Sequence, residues 1–274
     1  MEYIDKANEV TANVIVDDYL QWAQSRGKTA ANLYADMRKH KFHGVNCKHQ
    51  LIDTVLLPEQ SNRCCYCMRH LHDHSQVTIE HVIPQSVTNV ADMQHYYDGR
   101  AVHMTPTNIC ETSAYIANGY NGGTAYPHKV AYHNFAAACA ACNNTRGNER
   151  IEPLFFFEEI DDEVEYDDVT GQMDWTNDPV NADNLTLELP TIEKVGLNNR
   201  RLRFTRAILF YLKRNGMTLA SISRNQRDEV VYKVLGDILN RDVPFSEDDL
   251  SVLSDMTTDL YWNQLSDYDY FVQD

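Results

Sequence analysis

Two C-x2-C pairs, Cys64–Cys67 and Cys139–Cys142, constrain this chain more than any other feature of its sequence. Each pair presents two thiolates from one tight turn, and four thiolates together suit tetrahedral Zn²⁺, with Zn–S near about 2.3 Å. All four ligands would come from the protein, so the site is closed and structural. Such an ion would pin a strand pair to the helix after the second knuckle. The segment Thr78-Ile79-Glu80-His81-Val82-Ile83, a strand candidate closed by Pro84, lies inside that clamp. Seven cysteines are an odd number, which fits thiolate chemistry in a reducing cytoplasm better than a disulfide framework. Cys47, Cys65 and Cys110 read as small apolar packing residues.

Charge divides the chain unevenly. The net charge is −16. Residues 1–150 hold 13 Lys/Arg against 14 Asp/Glu, whereas residues 151–274 hold 11 against 26. All 11 histidines lie in the first part, and the stretch 151–193 has 14 acids with no Lys or Arg. An acidic surface repels phosphates and slows the approach of nucleic acid. A nucleic-acid substrate must therefore meet the near-neutral part or a basic partner. No apolar run approaches the roughly 20 residues that span a bilayer, and Met-Glu-Tyr-Ile-Asp-Lys lacks the start of a signal peptide. A cytoplasmic chain with no membrane association is the expectation.

Three regions follow, in an α+β class. Residues 1–60 read as a helical segment: Leu20, Ala23, Ala30, Leu33 and Met37 fall near helical spacing around Gly27, and Gln50–Leu57 reads as a helix ended by Pro58. Residues 61–150 carry the cysteines, short β-prone runs and a Tyr-rich insert at 87–132. Most of those tyrosines suit loop packing, with base stacking as the alternative. Residues 151–274 read as an acidic α+β region. It has a hairpin about Thr170-Gly171 and a helix over Leu197–Arg214, with Arg203, Arg206 and Lys213 on a basic face. The histidines of Arg69-His70-Leu71-His72-Asp73-His74 read as the solvated face of a turn.

Taken together, Cys64-Cys65-Tyr66-Cys67, Ile79-Glu80-His81-Val82-Ile83-Pro84 and Asn134-Phe135 running into Cys139-Ala140-Ala141-Cys142-Asn143 resemble the HNH endonucleases. In its zinc-clamped form that family has a ββα-metal core. By position, His81 falls on the family's first His, Asn134 on its middle Asn and Asn143 on its last metal-binding position. The resemblance implies that His81 is the general base, since a neutral imidazole suits removal of a proton from water at pH 7. It implies that Glu80 and Asn143 hold a catalytic divalent cation, Mg²⁺ or Mn²⁺. Asn134 would tie the intervening loop to the strand and orient His81, and Arg146 would grip the scissile phosphate. Glu80 stands where the family most often has Asp. Asn108 offers a competing register without the C-x2-C-Asn sequel, and His133 is the candidate accessory histidine.

A narrower resemblance runs from Gln50 to Arg214. Leu56-Leu57-Pro58-Glu59-Gln60 leads into Cys64-Cys65-Tyr66-Cys67, and Ile192-Glu193-Lys194-Val195-Gly196-Leu197-Asn198 is followed by Leu202 and Arg206. These pieces are similar to the HNH subunit of Septu antiphage systems, including versions encoded beside retrons. The resemblance implies an effector held by an ABC/SMC-like ATPase, joined in the retron-linked versions by a reverse transcriptase and its RNA/DNA. Two alternatives stand beside it: a stand-alone restriction or mobile-element HNH nuclease, and a zinc-stabilised binding or scaffold protein whose catalytic centre has decayed.

Overall fold

A computed structural model describes residues 4–97, 104–147, 151–152, 164–175, 189–190, 192, 195–241, 252 and 255–272. Most of the acidic stretch 151–193 and parts of the segment 191–198 lie outside the described residues. The fold is mixed helix and small two-stranded sheets, α+β. Two compact units divide the chain, Met1–Tyr66 with Leu71–Glu159 and Cys67–His70 with Ile160–Asp274. The N-terminal helices and the region 71–147 therefore belong to one body.

Helix Glu9–Ser25 opens the first unit, burying Ala12, Ile15, Val16, Tyr19, Leu20 and Ala23 at the spacing of one helical face. Gly27 ends it with φ of +59°. A short helix, Leu33–Met37, and a small hairpin of Lys41–Phe42 with Val45–Asn46 follow. The Asn46 side chain then caps the next helix by accepting from the backbone N–H groups of Lys48 and His49. That helix does not end at Pro58. It runs Cys47–Leu51, widens to a π-helical turn over Ile52–Leu56, and closes over Leu57–Glu59. Proline has no N–H for the carbonyl four residues back and its ring crowds that carbonyl. The looser turn, in which Leu57 N–H reaches Ile52 O, accommodates it and carries the chain on to Gln60.

The insert is structured in its described parts, with helices Val90–Tyr97 and Thr112–Ala117 and a parallel pair of Ile109–Cys110 with Tyr126–Pro127. Its tyrosines act as tethers. Tyr97 donates to Ile109 O at 2.7 Å, Tyr126 to Asp17 Oδ1 at 2.9 Å, and Tyr120 to Lys28 O.

In the second unit, Val164–Tyr166 and Met173–Trp175 form an antiparallel hairpin about Thr170-Gly171. Helix Arg200–Arg214, capped by the Asn199 side chain, buries Phe204, Ala207, Ile208 and Leu212 against Val230, Val231 and Val234 of helix Arg224–Leu239. Arg206 is not part of an exposed basic face. It is buried, and its guanidinium donates to Gly171 O at 2.7 Å and Leu197 O at 2.9 Å. The hairpin turn is thereby sewn to the helix, with Arg206 inside the seam. Gly171 makes the approach possible: its φ is +67°, and a Cβ there would lie 2.7 Å from Ala207 N and overlap Arg203 O.

Two glycines should therefore respond oppositely to alanine. Gly171→Ala is expected to destabilise the chain by about 1–3 kcal/mol through clash and left-handed strain. Gly236→Ala, inside a helix with nothing within 4 Å of the new Cβ, is expected to stabilise it by about 0.5–1 kcal/mol. Chemical denaturation of both variants checks the pair.

Candidate functional site

The site is built on one strand pair. Val77–His81 runs antiparallel to Phe135–Cys139, with His81 opposite Phe135, Glu80 opposite Ala136 and Val77 opposite Cys139. Helix Ala140–Arg146 starts directly after Cys139. Ala136, Ala137 and Ala138 are fully buried, so small side chains let neighbouring elements close on this strand. Four of its outward backbone groups are occupied by neighbouring elements. Lys6 Nζ donates to Phe135 O at 2.5 Å, and the Gln60 amide exchanges two bonds with Ala137, at 2.6 and 2.8 Å. Cys65 N–H reaches Ala137 O at 3.0 Å, and Cys139 N–H reaches Cys64 Sγ at 3.3 Å.

Cys64, Cys67, Cys139 and Cys142 are buried, and their sulfurs all lie within 4.8 Å of one another. An ideal tetrahedron with Zn–S of about 2.3 Å needs sulfurs about 3.8 Å apart, so this donor set fits a zinc ion. Four thiolates at such range repel strongly without a cation between them. Among the described residues this is the one group of three or more His, Cys, Asp or Glu side chains placed to hold a metal. The remaining cysteines are of another kind: burial pushes the Cys47 and Cys110 thiols up to about 12 and raises Cys65 well above the ordinary thiol range.

His81 is 5% exposed. Its imidazole stands edge-on to Phe135, centroids 4.9 Å apart, and to Tyr34, 4.5 Å apart. Nε2 faces the Lys129 carbonyl at 3.2 Å. A carbonyl only accepts, so Nε2 carries the proton and Nδ1 keeps its lone pair, 3.5 Å from the exposed Gln85 amide. Burial lowers the His81 pKa to about 3, which leaves the ring neutral at pH 7.

Asn134, fully buried, fixes the loop that fixes His81. Its amide accepts from Ile83 N–H at 2.6 Å and donates to Ile83 O at 3.0 Å and His128 O at 2.8 Å. His128 directly precedes Lys129, whose carbonyl holds the His81 ring. Nothing in the sequence pattern marked Gln60, Lys6 or the Lys129 carbonyl for these tasks; the signal for Gln60 was its place just before the first knuckle.

No protein-family model, curated protein or solved structure matches the chain. The site is therefore read from its own geometry.

Glu80 and Arg146 come together, but not around His81. Glu80 is 1% exposed and Arg146 3% exposed, with Arg146 Nη1 3.1 Å from Glu80 Oε1. Arg146 also donates to His81 O at 3.0 Å and Val82 O at 2.9 Å. Burial raises the Glu80 pKa to about 7 against the pull of Arg146 and the Tyr66 hydroxyl. Consecutive strand residues face opposite ways, and Glu80 and His81 accordingly have different neighbours. In this arrangement the Arg146 guanidinium is spent on the strand and on Glu80, and a phosphate would have to displace those bonds. A divalent cation would reach the Glu80 carboxylate only in exchange for Arg146. Asn143 is half-exposed in the first turn of its helix, so Glu80 and Asn143 alone do not make a ligand set. His133 pairs with Glu9 at 3.2 Å, and His74 pairs with Asp53 at 2.6 Å while stacking on His49.

Two outcomes are expected. Purified chain should carry one zinc by elemental analysis, and Cys142→Ser should lose the metal and the cooperative thermal transition together, because the ion closes the fold. Arg146→Ala should destabilise by about 3–5 kcal/mol by stranding the buried Glu80, while Glu80→Met with Arg146→Met should recover most of that loss. A double-mutant denaturation cycle measures the difference.

Proposed function

We propose that this chain is an HNH-type endonuclease with a ββα-metal core, hydrolysing phosphodiester bonds of nucleic acid. DNA is the favoured substrate, with RNA as the alternative. The observation that carries the reading is the setting of His81: a neutral imidazole at the end of a cysteine-clamped strand, with Nε2 held by a backbone carbonyl and Nδ1 facing only the exposed Gln85 amide at 3.5 Å. Such a ring accepts a proton from an attacking water at Nδ1, and the Asn134–His128–Lys129 linkage keeps it in that orientation. Its low basicity is a consequence of burial, and an anion brought beside it favours the protonated form. When bound, Mg²⁺ or Mn²⁺ would neutralise charge developing on the phosphate oxygens. For Glu80 and Asn143 to serve it, Glu80 must give up Arg146.

On this proposal the chain works as the effector subunit of an antiphage complex of the Septu kind, with an ABC/SMC-like ATPase as partner and a retron reverse transcriptase as a further one. The support is the set of segments between Gln50 and Arg214 together with the net charge of −16, which calls for a partner to hold nucleic acid. One observation favours the scaffold reading instead, the ion pair that occupies Glu80.

The test is cleavage of labelled plasmid DNA and total cellular RNA with Mg²⁺ or Mn²⁺. The chain is assayed alone and expressed with the proteins encoded beside it. His81→Ala is expected to reduce cleavage by about 10²–10⁴-fold while leaving zinc content unchanged. Equal activity of the variant and the parent on both polymers would sink the nuclease reading.

A further inference from the structure

Tyr34, which covers one side of His81, is itself flanked by a cation. The Lys48 ammonium lies 5.3 Å from the centroid of the Tyr34 ring, and the same ring stands 4.5 Å from that of His81. Lys48 is half-buried, and burial together with the like charge of Arg38 lowers its pKa. A cation in such a place ordinarily has a carboxylate partner. Aspartates of the same N-terminal segment are engaged elsewhere: Asp36 holds both Lys28 and Lys39, Asp18 faces His40 at 2.5 Å, and Asp53 holds His74 at 2.6 Å. Among the described residues the ring of Tyr34 is the one partner of the Lys48 ammonium.

The absence of a carboxylate matters in a chain this acidic. Net charge is −16, so a lysine with no carboxylate partner among the described residues, with the like charge of Arg38 near it, is a local reversal of sign beside the ring that covers His81. A half-buried ammonium with no counter-ion among the described residues leaves its N–H donors to solvent, and an oxyanion from outside takes the place of that water. The aromatic ring holds the ammonium in place without consuming its charge.

We propose that Lys48, held against Tyr34, is a phosphate-binding residue for the nucleic-acid strand cut by the water that His81 deprotonates. This rests on the nuclease reading of His81 and adds the contact that brings the backbone to it. The contact is to phosphate, so it carries no base preference. The N-terminal helical segment thereby becomes part of the substrate surface.

The experiment measures binding of short fluorescent DNA and RNA strands to the full chain over a salt series in Mg²⁺-free buffer, alongside steady-state cleavage. Lys48→Met is expected to weaken binding about three- to tenfold for every sequence tested and to reduce the salt slope by about 0.7–0.9, the signature of one lost phosphate contact. In cleavage it should raise KM and spare kcat. Lys48→Arg should keep both affinity and slope. Lys48→Gln replaces the methionine variant if thermal melts show that variant unfolded. An unchanged slope in the charge-removing variant, or an equal loss in Lys48→Arg, overturns the assignment while leaving the nuclease reading in place. Failure of the parent to bind or cut either polymer, alone or with its neighbours, overturns both.

Discussion

The approach of four sulfurs to within 4.8 Å is the constraint on which the rest of the first unit depends. It joins two points of the chain separated by the strand Val77–His81, the insert and the strand Phe135–Cys139. Closing so long a loop is unfavourable, though the penalty grows only slowly with length, by about 0.6 kcal/mol per doubling. A metal bound by four thiolates would supply far more than that, enough to offset an insert of this length between the paired strands. Cys139 concentrates the arrangement: it ends a strand, precedes a helix, offers a metal ligand and donates its N–H to Cys64 Sγ.

Around that clamp the polar groups are arranged in two separate sets. One set, Asn134 with the His128 and Lys129 carbonyls, fixes the ring of His81. The other, Arg146 with Glu80 and the carbonyls of His81 and Val82, fixes the strand that carries it. A buried ion pair contributes little net stability over apolar residues of similar size; its effect is to specify one strand position. The same carboxylate and guanidinium are thus at once structural and the groups a nuclease would turn toward its cation and phosphate.

Elements with strong local signals were legible in the sequence. The C-x2-C spacing pointed to a cluster of four cysteines, Pro84 lay just past the strand Val77–His81, and the turn at Thr170-Gly171 marked its hairpin. Helix Arg200–Arg214 began three residues later than Leu197 because the Asn199 side chain caps it. What failed was anything decided by which neighbour a side chain meets. Arg206 looks like part of a basic helix face in one dimension and is a buried donor to carbonyls in three. Pro58 looked like a stop because helix rules assume regular pitch, and a π-helical turn relieved it. Lys6 carries no local signal, and Gln60 only its place before the first knuckle, since their partners on the strand Phe135–Cys139 lie far along the chain.

A two-stranded sheet ordinarily exposes edges that invite pairing with other chains. On the Phe135–Cys139 strand the edge facing away from Val77–His81 is closed by side chains and by the first knuckle: Lys6 takes Phe135 O, Gln60 and Cys65 take Ala137, and Cys64 takes the N–H of Cys139. These four outward backbone groups are therefore not left for a visiting strand to bond. The apolar run Phe135-Ala136-Ala137-Ala138, which an unfolded chain would offer to its neighbours, is thus guarded against intermolecular sheet growth by Lys6, Gln60 and the first knuckle. Loss of the knuckle would uncover an adhesive edge as well as an empty site.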